Sequence, residues 1–110
     1  MLNNSLLKGT LNTLILKLLA DNGQMYGYEI IQRIKESSDD ALLITEGALY
    51  PALHRLEQQG LLNIDLRTVS GRQRKYYALS AKGKLRSGES LMELAQFLGA
   101  IHNIIKPKTS

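Results

Sequence analysis

One stretch, from Thr45 to Gly60, limits more than any other what this chain can become: TEGALYPALHRLEQQG. It opens on Thr45, whose hydroxyl can cap the free N–H groups of a first helical turn. It closes on Gly60, the residue type that most readily takes the left-handed conformation after a helix. Between them Leu49, Ala52, Leu53 and Leu56 recur at helical spacing and mark one buried stripe. Tyr50, His54 and Arg55 fall off that stripe, so a helix held from behind presents a polar front. Pro51 lacks a backbone donor and crowds the carbonyl four residues back; its place near the start lets a bend in the first turns absorb it. After Gly60 the period changes from helical to alternating. Leu62, Ile64 and Leu66 face one way and Asn63, Asp65 and Arg67 the other, which predicts a half-buried strand. Thr68 to Gln73 is expected to carry the turn, with Gly71 free to take positive φ, and Lys75 to Leu79 to return as the second strand. The hairpin tip, SGRQRK, is basic without one acid. A polar-fronted helix followed by a basic hairpin points to a nucleic-acid reader.

The rest of the chain is arranged around this unit. Leu11, Leu14, Ile15, Leu18 and Leu19 form the core-facing stripe of a first helix over Thr10 to Asn22, capped by Thr10 and stopped at Asp21-Asn22-Gly23. Leu6 and Leu7 extend the apolar character upstream as an extra turn that meets a partner chain. A second helix is expected from about Tyr26 to Ser37, with Ile30, Ile31 and Ile34 inside and Gly27 permitting a tight turn or close backbone approach. Leu42-Leu43-Ile44 is apolar and β-prone, and is expected to be a short strand before the third helix. Three helices, one short strand and a hairpin in the order ααβαββ make a winged helix-turn-helix: mainly α with a small β-sheet, over residues 1–79. Ser80 then caps a long last helix, 80–106, and Pro107 opens a loose tail, 107–110. In that helix Leu91, Leu94, Ala95, Leu98, Ile101 and Ile105 form a stripe that so small a domain cannot cover, and self-pairing into a homodimer buries it best. Folding back on its own domain is the alternative. Gly88 and Gly99 weaken the helix and could let two backbones approach.

Composition narrows the chemistry. With 110 residues, 44% of them hydrophobic, the chain supports one domain plus an appended element. A formal charge of +4 favours an anionic partner. The absence of cysteine leaves no disulfide or thiolate metal site and fits a reducing cytoplasm. No apolar run approaches the roughly 18 residues a membrane span needs, so no membrane association is expected. His54 and His102 lie on different helices without metal-ligand spacing, no phosphate-binding glycine loop is present, and no cofactor is expected. Five Tyr, one Phe and no Trp are thin material for the stacking surface that single-stranded nucleic acids need. Double-stranded DNA is the expected partner. A winged-helix adaptor that binds protein without DNA is the alternative, and the basic hairpin argues against it.

Phosphate contact is expected from Arg67, Arg72, Arg74 and Lys75, with Gln73 and Tyr76 beside them, and from Tyr26 and Tyr28 at the mouth of the second helix. The bland reading of the four cations is a solvated turn. Base-edge reading falls to Thr45, Glu46, Ala48, Tyr50 and His54, with Gly47 allowing close approach. Tyr50 is as well placed to pack under its helix, and His54 to be an ordinary exposed histidine. Arg55 can read guanine, hold phosphate or pair with a neighbouring acid. Tyr76 and Tyr77 alternate faces, and Tyr77 is expected in the core.

Nearly the whole chain resembles the PadR family of bacterial transcriptional regulators. LLKGTLNTLILKLL with YGYEI is similar to the family's first two helices, EGALYPALHRLEQQGLL to its recognition helix, and GRQRKYYALSAKGK to its wing and the start of its last helix. The resemblance accounts for Pro51, usual within that helix, and implies the smaller subgroup of homodimers joined through a single C-terminal helix. It further implies repression of nearby genes, relieved in many members by a small-molecule effector near the dimer interface. Members that clasp planar aromatics use a tryptophan in the last helix; here Phe97 is the comparable residue.

Overall fold

A computed structural model describes residues 4–108, so the end of the tail lies outside the described residues. Five helices and three strands follow in order: α1 (Asn4–Lys8), α2 (Leu11–Asn22), β1 (Gln24–Tyr26), α3 (Gly27–Ser37), α4 (Glu46–Gln58), β2 (Leu62–Val69), β3 (Arg72–Leu79) and α5 (Ala81–Ile105). The sheet is antiparallel in the order β1-β3-β2. Together with the helices it forms a winged helix-turn-helix with a long C-terminal helix.

The core is where the stripes converge. Leu49, Ala52, Leu53 and Leu56 of α4 are all buried, against Leu11, Ile15, Leu16 and Leu19 of α2, Ile30 and Ile34 of α3, and Met25 and Tyr77 of the sheet. Thr45 caps α4 as its hydroxyl requires, Oγ1 accepting from the Ala48 N–H at 3.2 Å. At the other end Gly60 takes φ 76°, and the Gly60 and Leu61 N–H groups donate to the Glu57 and Leu56 carbonyls at 2.9 and 3.0 Å. This paired closure is the usual glycine-dependent way to end a helix.

Several expectations need correction. Leu42-Leu43-Ile44 forms no strand and has no ladder partner among the described residues; Ile44 is buried and Leu42 packs against the core, so the run fills space without joining the sheet. The third strand is Gln24–Tyr26 instead, in register with β3 through Gln24↔Ala78, Met25↔Tyr77 and Tyr26↔Tyr76. The order is therefore αβααββ, and α3 begins one residue later than expected, at Gly27. Thr10 precedes α2 but does not cap it: its hydroxyl donates to the Leu7 carbonyl at 2.9 Å, tying α1 to α2. The hairpin is tighter than expected, since the strands run to Val69 and from Arg72 and leave Ser70-Gly71 at φ 50° and 78°. Two consecutive positive φ values match the twist of the flanking strands. Leu66 leaves the stripe of Leu62 and Ile64, being 56% exposed, because β2 has by then passed the edge of the core.

The first third of α5 lies on α2 through small residues. Gly83, Ser87 and Ser90 are its buried positions, and Ser90 Oγ meets Thr13 Oγ1 at 2.5 Å. A Cβ on Gly83 would stand 2.0 Å from the Leu61 carbonyl oxygen, so only glycine allows this approach. At about 100° per residue, Leu94, Leu98, Ile101 and Ile105 continue the same face of the helix. There α2 has ended, and Leu98 is 55% and Ile105 72% exposed. Leu91 and Ala95 lie to one side of this stripe, also exposed, while Gly88 and Gly99 sit on the far side of the helix. The overhang stretches the molecule to 64 × 30 × 21 Å.

Candidate nucleic-acid interface

The buried stripe of α4 fixes what its open side presents. Opposite it, at about 100° per residue, lie Gly47, Pro51, His54 and Gln58. Glu46 and Tyr50 flank them on one side and Ala48 and Arg55 on the other; all eight are exposed. Gln58, with an amide suited to an adenine edge, lies in the middle of this surface although sequence reasoning passed over it. Thr45 is exposed too, with its hydroxyl oxygen engaged in the cap. His54 Nδ1 is 4.0 Å from the Glu57 carboxylate, and Arg55 has no ion pair among the described residues.

Tyr50 packs as its sequence position allowed and also keeps an exposed edge. Its ring lies over Gly27, where a Cβ would come within 2.5 Å of the phenolic oxygen, yet 43% of the residue remains exposed. Gly27 thus permits the close approach of α4 to the start of α3. Tyr26, Tyr28, Tyr50, Gln73, Arg74 and Lys75 line a groove of about 720 Å³ running from α3 and α4 to the wing. β1 ends where Tyr26 pairs with Tyr76, so from Lys75 to Arg72 the edge of β3 is open along this groove.

Register sorts the wing cations. Lys75 and Gln73 oppose Leu66 and Thr68, on the face that carries Tyr77 and Ile64. Arg74 opposes Arg67 on the other face, with Tyr76 opposite Asp65 and Tyr26. Arg72 stands beside the tip. Among the described residues neither Arg72 nor Lys75 forms an ion pair. Arg67 does: its Nε donates to Asp65 at 3.0 Å, its Nη2 to Gln24 Oε1, and its guanidinium lies 4.6 Å from the centre of the Tyr76 ring. Arg67 and Tyr76 therefore stand apart from this groove, while Thr45, Gly47, Ala48 and Arg55 line a separate cleft of about 290 Å³ on the other flank of α4. Tyr77 is buried as expected, and burial pushes its phenol above the ordinary value, helped by Tyr50 and Glu57.

Of the expected pairing residues, Leu6 is 77% exposed, while Leu7 packs partly against the core. Leu6, Leu7, Leu94 and Leu98 share an apolar cleft of about 280 Å³ with Leu14 and Leu42. Phe97 lines a neighbouring cleft of about 470 Å³ with Thr10, Thr13, Ser90 and Glu93, and is itself exposed. Among the described residues no group of three or more His, Cys, Asp or Glu could hold a metal ion, and no helix is long and apolar enough to cross a membrane.

Comparison with known proteins agrees with this geometry. Residues 15–89 match the family described as transcriptional regulator PadR-like. The transcriptional regulator Rv3488 of Mycobacterium tuberculosis is 39% identical over 85 residues, covering 74% of this chain and 76% of its own. A transcriptional regulator from Clostridium thermocellum superposes with a TM-score of 0.84 at 28% identity, covering 93% of this chain and 99% of that one. A PadR-like transcriptional regulator from Bacillus cereus gives 0.78 at 27% identity, with 94% and 99% covered. A winged helix-turn-helix with a polar-fronted α4, a basic wing and a match over most of its length, this chain belongs to the PadR-like family of transcriptional regulators.

Proposed function

We propose that the protein is a sequence-specific double-stranded DNA-binding repressor that acts as a homodimer on a pseudo-palindromic operator. The observation that supports this reading is the groove shared by α4, the start of α3 and the open edge of β3, with Gln73, Arg74 and Lys75 lining its wing side and Arg72 beyond them near the hairpin tip. A helix front of this size fits the major groove, and cations beside it can take the flanking phosphates. In this reading Gly47 lets α4 approach closely. Glu46, His54, Arg55 and Gln58 meet base edges, Glu46 as an acceptor for a cytosine amine. Tyr26, Tyr28 and Tyr50 offer hydroxyls to one phosphate run, and Arg72, Gln73, Arg74 and Lys75 hold the next.

Homodimerisation is supported by the apolar residues that α5 leaves exposed past its contact with α2, Leu91, Leu98, Ile101 and Ile105 among them. Pairing through Leu91, Leu94, Ala95, Leu98, Ile101 and Ile105, with Leu6 and Leu7 at its margin, places two recognition helices about one helical turn apart on DNA. Repression then follows from occupying a promoter. The cleft beside Phe97 adjoins that seam and is where an apolar effector would act on the dimer.

The test is selection of tight binders from a random duplex library at physiological salt. Recovery of a two-fold symmetric motif with half-sites about ten base pairs apart supports the proposal. Binding without an enriched motif would overturn sequence specificity. No binding at all would leave the winged-helix adaptor as the better account.

A further inference from the structure

The outer face of the sheet carries a stack in which Tyr26 and Arg74 border the proposed DNA-binding groove and Arg67 and Tyr76 stand outside it. Arg67 sits 4.6 Å over the Tyr76 ring, Tyr76 meets Tyr26 edge-on with centroids 5.5 Å apart, and Arg74 sits 4.1 Å over the Tyr26 ring. Cation, ring, ring and cation thus follow one another from β2 through β3 to β1 and back to β3. Arg67 is held further by Asp65 on its own strand and by Gln24 two strands away, so one side chain spans the sheet. Tyr26 ends β1 and immediately precedes α3, and its N–H is held by the Glu29 carboxylate at 3.0 Å. The Tyr26 end of the stack is therefore fixed to α3, which carries Tyr28 and on whose Gly27 the Tyr50 ring of α4 rests.

We propose that Arg67, Tyr76, Tyr26 and Gln24 form a strut that sets the angle of the wing against α3 and α4, and that Arg67 is a positioning residue rather than a phosphate contact. The inference rests on the DNA-binding reading for its functional consequence, though not for its structural one. A two-stranded ribbon twists and sways unless a third strand or a packed face restrains it. β1 restrains the wing only as far as Tyr76, and the cation–π contacts extend that restraint by the Arg67–Arg74 row. The Arg67 guanidinium has committed two of its five N–H donors to protein, to Asp65 and Gln24, and one face to a ring, while its side chain stays 49% exposed. Arg72 and Lys75 have not, and counterion release on DNA binding falls to them.

Two measurements on the full chain separate these roles. The first is amide hydrogen exchange without DNA. Arg67→Ala and Tyr76→Leu should each speed exchange in the wing from Thr68 to Gln73 and leave α2 and α4 protected, whereas Tyr76→Phe, which keeps the ring, should behave as wild type. Unchanged wing exchange in both disruptive variants would overturn the strut. The second is affinity for a fixed DNA duplex across a salt series. Loss of a phosphate contact lowers the slope of log K against log salt by about 0.9. Arg72→Ala and Lys75→Ala should show that drop. Arg67→Ala and Tyr76→Leu should weaken binding roughly two- to fivefold at an unchanged slope, the scale of exposed cation–π contacts. Their double variant should be no weaker than the worse single, as coupled neighbours are. A slope reduced by Arg67→Ala as much as by Arg72→Ala would overturn the positioning role. If wild type shows no salt-dependent binding, the DNA-binding reading fails, while the exchange result still decides the strut.

Discussion

The glycines of α5 offer a graded test of how the helix sits. At Gly83 a Cβ would lie 2.0 Å from the Leu61 carbonyl oxygen and 3.0 Å from its carbon, about 1.4 Å short of ordinary contact with that oxygen. The obstacle is backbone and cannot rotate away. The start of α5 must therefore shift, yet it is knotted there: Ser80 N–H donates to that same Leu61 carbonyl at 3.0 Å, and the Ser80 hydroxyl donates to the Gly60 carbonyl at 2.6 Å while accepting from Gly83 N–H at 3.0 Å. Overpacking costs about 1–3 kcal/mol, and each strained or broken hydrogen bond about 1 more. Alanine returns at most about 1 kcal/mol through helix propensity. Gly83→Ala should thus destabilise the protein by about 2–4 kcal/mol. Gly88 and Gly99 meet nothing within 4 Å and lie away from the apolar stripe, so Gly88→Ala and Gly99→Ala should each stabilise by about 0.5–1 kcal/mol. Urea unfolding followed by circular dichroism, at one protein concentration, ranks the three. A Gly83→Ala variant within about 0.5 kcal/mol of wild type would refute the close α5–Leu61 approach. Destabilisation by Gly99→Ala would refute the assignment of the pairing face.

Two further perturbations probe other parts of the molecule. Leu98→Asp places a carboxylate in the proposed seam twice, once from each protomer; burial of unpaired charge costs several kcal/mol, so the dimer should weaken at least about a hundredfold. Sedimentation should find monomers with wild-type helicity, and a persistent dimer would remove α5 as the main interface. Tyr77 has its phenol pKa raised by burial, so its neutral form is favoured in the folded state. That contribution is intact below about pH 10 and is lost as pH rises through the folded pKa. Stability of wild type should fall more steeply above pH 10 than that of Tyr77→Phe; matching alkaline limbs would show that the ring is not desolvated.

What could be read from the residues alone was whatever repeats. The α4 stripe is buried at all four positions because Leu49, Ala52, Leu53 and Leu56 satisfy one period over about two turns, and Thr45 and Gly60 bound it with residue-specific chemistry. β1 was invisible because Gln24–Tyr26 is shorter than any periodic signal and exists through its partner, β3. Leu42-Leu43-Ile44 misled for the complementary reason: an apolar run has the same composition whether its backbone joins a ladder or its side chains merely plug the core. The wing cations were legible as a group, but their division between two faces depends on register. The two-residue turn at Ser70-Gly71 sets that register, and a slip by one residue would exchange the faces. The seam of Gly83, Ser87 and Ser90 was missed because pattern reading counts large apolar residues, whereas close helix contact here needs small ones.

The uninterrupted run of α5 from that seam into the overhang makes it a lever. Its 25 residues span about 37 Å as one rod, clamped near its start by the close approach of Gly83 to Leu61 and the Ser90–Thr13 contact to α2. In the proposed dimer, a tilt of about 5° at the far end would displace the clamped end by about 3 Å, close to the 3.4 Å between successive base pairs. An angular change that small at the distal end would carry each recognition helix out of step with its half-site by one base pair. The stiffness of the arm, more than the affinity of the wing, would then decide how finely operator spacing is measured.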